Sequence, residues 1–217
     1  MFNFPELQTR NELGLRFYET PDKQLYPSIT SILGKTSPPE KVAKLTNWQN
    51  SLGKVEAARV GKAAADRGTS VHLLIERYLK DEPLQKEEFS PEDFSYFNAL
   101  KLKLKNVTEV WGQEIPLYSD LLEIAGRCDL IGAYKGLPSI VDYKTSTRIK
   151  SVKDIEDYKL QCAFYGVACN EKHGTDINQG VILMTSAGGF PQEFIFPLAP
   201  EVPRLVKRID EFYATYL

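Results

Sequence analysis

Two acidic positions thirteen residues apart constrain this chain most: Asp129 in Gly126-Arg-Cys-Asp129, and Asp142 in Asp142-Tyr-Lys144-Thr145. Across Ile140-Val-Asp-Tyr-Lys144, the two-residue period of a strand sends Asp142 and Lys144 to one face and Val141 and Tyr143 to the other. With Lys135-Gly136 as a two-residue hairpin turn, Leu130 stands opposite Val141 and Asp129 opposite Asp142. The Cβ atoms of such neighbours lie roughly 5 Å apart. Two ionised carboxylates that close repel by about 4 kcal/mol at an effective dielectric near 20. A divalent cation with oxygen ligands offsets that repulsion most simply. A carboxylate pair with a lysine on one face is the equipment for metal-assisted phosphodiester hydrolysis. A solvated hairpin face could carry the same residues. The flanks Leu121, Leu122, Ile124, Leu130, Ile131, Ile140 and Val141 argue instead for core strands, from which ionic side chains rarely project without a task.

The chain has 217 residues, 42% of them hydrophobic and 26% charged, which predicts one globular domain with a sizeable core. We expect a helical N-terminal region over residues 1–67 and a catalytic core over 68–217. A net charge of −2 leaves a nucleic-acid surface only as a local patch. Lys35, Lys41, Lys44, Lys54, Arg59, Lys62 and Arg67 could form one, although Glu40, Glu56 and Asp66 make a mixed solvated face an equal reading. No apolar run approaches a membrane span. The N-terminus carries neither signal-peptide nor transit-peptide character, so a cytoplasmic location in a bacterial or phage-infected cell is expected. Cys128, Cys162 and Cys169 lack C-x-x-C spacing and read as buried thiols; with three thiolates, no four-cysteine iron–sulfur cluster is expected from this chain.

Local patterning places these residues on elements. A short hairpin is predicted over residues 15–26, then a helix from Ile29 to Leu33 capped by Ser28 and closed by Gly34. Helices follow over 40–50 and 51–66, and a further one starts at Gly68-Thr69 and runs to about Lys80, with Thr69 as its cap. Pro91 to Asn106 is helical, with Phe94, Phe97, Leu100, Leu102 and Leu104 partly buried. Strands are read over 107–111, 114–118, 121–131, 139–143, 180–185 and 192–196, with a helix over 155–172 and an amphipathic one from Pro200 to Leu217. The pattern predicts a compact α/β domain with a mostly antiparallel sheet.

His72 and Glu76 are one helical turn apart and share a face. His173, the second of two histidines, is explained by a helix C-terminus and its glycine stop. Imidazole can complete a carboxylate metal site. Gln161 and Tyr165, four apart on one helix, could hydrogen-bond a phosphate or a bound water. Glu114 is a further candidate beside Glu76.

The ordered set His72, Asp129, Asp142-x-Lys144, Gln161-x-x-x-Tyr165 resembles the RecB-type branch of the PD-(D/E)XK nuclease superfamily. Tyr26-Pro-Ser-Ile-Thr-Ser-Ile-Leu33, Trp48 and Gly68-Thr-Ser-Val-His72 are similar to the mitochondrial genome maintenance exonuclease group and its phage relatives. The resemblance covers roughly Leu15 to Tyr165. It implies a restriction-endonuclease-like core: a central mixed sheet flanked by helices, with an N-terminal helical region that guides DNA as a wall or arch.

The same resemblance implies a Mg²⁺- or Mn²⁺-dependent DNA exonuclease that prefers single-stranded ends, serving replication, recombination or repair beside proteins of those pathways. Asp129 and Asp142 resemble the acidic metal ligands, with the Tyr143 carbonyl a third and His72 a fourth. Lys144 resembles the lysine that positions the attacking water or steadies the phosphorane charge. Gln161 and Tyr165 resemble the DNA-orienting pair, and Trp48, Lys62 and Arg67 are expected substrate contacts. A structure-specific endonuclease and a catalytically silent DNA-end adaptor are the alternatives. The intact Asp, Asp and Lys argue against the silent form.

Overall fold

The computed structural model describes Phe2 and residues 4–217. Three short strands open the chain, β1 (Gln8–Glu12), β2 (Leu15–Glu19) and β3 (Leu25–Pro27), joined as an antiparallel sheet. Ser28 then caps helix α1 (Ile29–Lys35) by accepting the Ser31 amide, and Thr36, rather than Gly34, closes it. Helices α2 (Pro39–Leu52) and α3 (Lys54–Leu79) meet at Gly53, whose φ of 79° and ψ of 155° are open to glycine alone. A capping box between Ser90 and Asp93 starts α4 (Pro91–Leu104). The main sheet is built from β4 (Val107–Ser119), β5 (Ile124–Tyr134), β6 (Leu137–Ser146), β7 (Gln179–Ser186) and β8 (Phe190–Pro197), in that spatial order. Helix α5 (Glu156–His173) crosses from β6 to β7, making that pair parallel where the other neighbours are antiparallel. Helix α6 (Val202–Tyr216) closes the chain.

The result is an α/β fold with a five-stranded mixed sheet flanked by helices. On one face Val71, Leu74 and Ile75 of α3 and Phe97, Leu100 and Leu104 of α4 pack with Leu130, Val141, Tyr143, Val181 and Leu183. On the other, Phe164 and Ala168 of α5, Phe212 of α6 and Ile32 of α1 pack with Ile131, Ile140 and Ile182. Alternation along β6 therefore separates two cores, as the period of the sequence predicts.

Four details differ from the sequence expectation. The hairpin read over 15–26 is β2 and β3, but a further strand, β1, precedes it in the region expected to be helical; β1 is exposed throughout and carries no apolar period to reveal it. Gly68-Thr69 does not begin a helix: α3 runs through it, and Thr69 Oγ1 donates to the Ala65 carbonyl at 3.2 Å. Burial of Val71, Leu74 and Ile75 outweighs the roughly 1 kcal/mol cost of an interior glycine. The expected boundary at 67/68 therefore falls inside a helix. Leu102 and Leu121 are exposed rather than buried, and the two strands read over 107–118 are one, β4, bent by register shifts between Val107 and Gly112.

Helix α2 has no buried residue, and the first half of α3 buries only Ala57. Together they form an arm that stands away from both cores. No helix among the described residues is long and apolar enough to cross a membrane.

Candidate active site

The hairpin turn has the predicted form: Lys135 (φ 52°) and Gly136 (φ 78°) both take the left-handed conformation, and pairing follows from Tyr134↔Leu137 to Leu130↔Val141. It stops one step before the aspartates. On its other edge β6 pairs with β7 from Ser139 to Ser146, placing Asp142 beside Ile182 and Lys144 beside Met184. Asp129 bends back across the gap, and its Oδ2 accepts the Tyr143 amide at 2.8 Å.

Asp142 is buried, at 1% exposure. Lys144 Nζ lies 2.6 Å from its Oδ1 and 2.5 Å from its Oδ2, so both carboxylate oxygens face the ammonium, Oδ1 with the better-directed hydrogen bond. Burial pushes the Asp142 carboxyl up to about 6, against Lys144 and with the repulsion of Asp129. Burial alone would lower Lys144; the charges of Asp142 and Asp129 outweigh it and hold the ammonium well above its ordinary value.

Helix α3 brings His72 over the gap. Its Nε2 lies 2.9 Å from the Tyr143 carbonyl, while Nδ1 faces Glu114 Oε1 at 3.5 Å and Asp129 Oδ1 at 3.7 Å. Burial disfavours the charged ring, but Asp129 and Glu114 prevail and raise its pKa to about 9. Glu114 reaches this position through a left-handed backbone, φ 52°, in the middle of β4. The ladder between β4 and β5 skips it: Gln113 pairs with Leu130 and Ile115 with Cys128. Arg127 Nη1 donates to the Glu114 carbonyl at 2.7 Å, holding the distorted step.

His72, Glu114 and Asp129 each offer a ligand atom within 4.8 Å of the other two. One imidazole nitrogen and two carboxylates form a donor set that fits a divalent cation. With Nε2–H given to the Tyr143 carbonyl, the Nδ1 lone pair would face the carboxylates, the ring being oriented by its backbone partner as a ligating histidine usually is. The grouping differs from the expected one in two respects. Asp142 stands outside the trio and faces Lys144, and the Tyr143 carbonyl is engaged by His72. Glu114 joins the trio because of a backbone distortion that no strand period announces.

The other expected residues are spread more widely. Tyr165 is buried; its hydroxyl donates to the Arg127 carbonyl at 2.5 Å and accepts from Gln161 Nε2 at 3.1 Å, tying α5 to β5 two residues before Asp129. Gln161 remains partly exposed. Glu76 pairs with Lys80 at 2.6 Å and, with Thr69, His72, Leu73, Glu114 and Arg127, lines a cleft of about 440 Å³ beside the trio. Trp48 lies apart, in a cleft of about 590 Å³ between α2 and α3 with Leu45, Ala57 and Ala58. Lys62 pairs with Asp66 on the exposed arm. Arg67 is largely covered, 4.9 Å over the Tyr96 ring, with its Nε unpartnered. The three thiols are buried and free. Tyr158, one turn before Gln161, was not anticipated; Lys144 Nζ sits 5.0 Å from its ring centre.

Comparison with known proteins places this site in a family context. The family model described as the PD-(D/E)XK nuclease superfamily matches residues 48–190, which include every residue of the site. Among curated proteins, the chain is similar to mitochondrial genome maintenance exonuclease 1 of three vertebrates. It is 27% identical over 172 residues to the Xenopus tropicalis protein, covering 76% of this chain and 50% of that one. It is 27% identical over 173 residues to the Mus musculus protein, with 76% and 51% covered, and 24% identical over 177 residues to the Homo sapiens protein, with 78% and 52% covered. The chain thus spans about half the length of the curated relatives it matches.

Proposed function

The chain belongs to the PD-(D/E)XK nuclease superfamily, and on that premise we propose that it is a metal-dependent DNA exonuclease acting on single-stranded ends in replication, recombination or repair. The observation that carries this reading is the break in pairing at Asp129 and Asp142, where His72, Glu114 and Asp129 converge within ligand distance beside an Asp142–Lys144 pair. The exonuclease naming of the similar proteins supports it.

His72, Glu114 and Asp129 would hold the cation, with Asp142 Oδ2 adjoining them. When bound, a divalent cation supplies Lewis acidity toward the attacking water and charge against the scissile phosphate. The chain's own groups do the rest. Lys144, held charged by two aspartates, presents its ammonium to the water or to a phosphate oxygen. Tyr143 fixes two first contacts through its backbone, its amide on Asp129 and its carbonyl on His72. Gln161 offers an amide to the phosphate backbone, and Tyr165 holds Gln161 and β5 in place. On the arm, Trp48 would stack a base of a single strand, worth ~1–3 kcal/mol, with Lys62 beside the backbone; Arg67, covered by the Tyr96 ring, would contact substrate only at its rim.

Asp142→Asn and Lys144→Ala should each abolish cleavage with folding and DNA retention kept. Either variant cutting at the wild-type rate would overturn the reading.

A further inference from the structure

Among the described residues Lys144 pairs with one carboxylate, Asp142, which a bound cation would also draw upon. A lysine on four rotatable bonds loses its direction when its only tether is shared. The ring of Tyr158 also approaches the ammonium, its centre 5.0 Å from Nζ, within the range where an aromatic face attracts a cation. The ring is rigidly mounted. It packs against the core cluster behind the sheet, and the preceding residue, Asp157, is bound by Lys41 and by Arg208, the latter at 3.2 Å. A capping box between Ser151 and Asp154 fixes the turn that leads into α5.

We propose that Tyr158 is a positioning residue for the reaction: its aromatic face holds the Lys144 ammonium toward the reacting phosphate when Asp142 is engaged elsewhere. This rests on Lys144 acting as proposed above. The face of the ring does the holding, so Tyr158→Phe keeps the function and Tyr158→Leu loses it.

Two readouts test this separately. In lysine-labelled protein, the Lys144 ε-methylene should show a ring-current shift in metal-free wild type and Tyr158→Phe that is absent from Tyr158→Leu. In cleavage assays, kcat should fall about 3- to 30-fold in Tyr158→Leu, with KM and Mn²⁺ affinity unchanged. Should Tyr158→Leu not fold, progressively fluorinated phenylalanines at 158 weaken the ring's negative face at constant shape, and kcat should fall stepwise with fluorination. A wild-type kcat in Tyr158→Leu or across the fluorinated series, with Lys144→Ala inactive, would overturn the proposal, as would a loss in Tyr158→Phe equal to that in Tyr158→Leu. A wild-type protein that cuts nothing would instead sink the nuclease reading, leaving the ring-current shift to decide the contact.

Discussion

The Tyr143 amide donates to Asp129 Oδ2 at 2.8 Å across the point where β5 and β6 cease to pair. That single bond replaces a ladder step with a carboxylate contact. It lets Asp129 lean toward His72 and Glu114 while Asp142 stays with Lys144. Two acids predicted to be cross-strand partners thus take different neighbours.

The two histidines should titrate apart. Asp129 and Glu114 outweigh burial at His72 and raise it to about 9, whereas burial and Lys172 lower His173. Because His72 is raised on folding, its charged form stabilises the metal-free protein fully below about pH 6.5, and that contribution fades as pH rises through about 9. Imidazole NMR in EDTA, assigned with His173→Gln, should show one ring titrating near 9. Saturating Mg²⁺ should remove its proton at pH 7. Two rings titrating together near 6.5 would contradict the charge arrangement.

Glu114 holds a left-handed backbone at a cost of about 1–2 kcal/mol for a side-chain-bearing residue. Glu114→Gly relieves that strain but gives up the pairing with His72 and gains unfolded-state freedom, so the metal-free protein should keep its stability to within about 1 kcal/mol in urea denaturation while Mn²⁺ binding weakens. Glu114→Gln, which keeps the strain, should weaken the metal and lower stability as well. Unchanged Mn²⁺ affinity in both variants would remove Glu114 from the ligand set.

Gly53 sets the angle of the arm through a conformation closed to alanine. Gly53→Ala should reorient α2 and lower affinity for a single-stranded oligonucleotide by ~1–3 kcal/mol, about one stacked base. Mn²⁺ affinity, set some distance away, should not change. Equal oligonucleotide binding by fluorescence anisotropy would separate the arm from the substrate.

What the sequence made legible was what period and turn chemistry encode. Lys135-Gly136 announced a hairpin register that holds from Leu137 to Val141, and alternation along β6 separated Val141 and Tyr143 from Asp142 and Lys144. Glu114 is legible only as a further candidate, because its place beside His72 and Asp129 comes with a left-handed residue inside a strand, which no composition rule signals. Two things were hidden, each for a physical reason. Tyr158 depends on where α5 crosses the sheet, a tertiary relation. The continuity of α3 through Gly68 was decided by core burial over local preference.

The most direct test is cleavage of end-labelled linear and circular single-stranded DNA in Mg²⁺, Mn²⁺ or EDTA. The account predicts metal-dependent release of short products from linear strands, with circles spared and EDTA silent. Cutting of circles at a comparable rate, or cleavage persisting in EDTA, would contradict it.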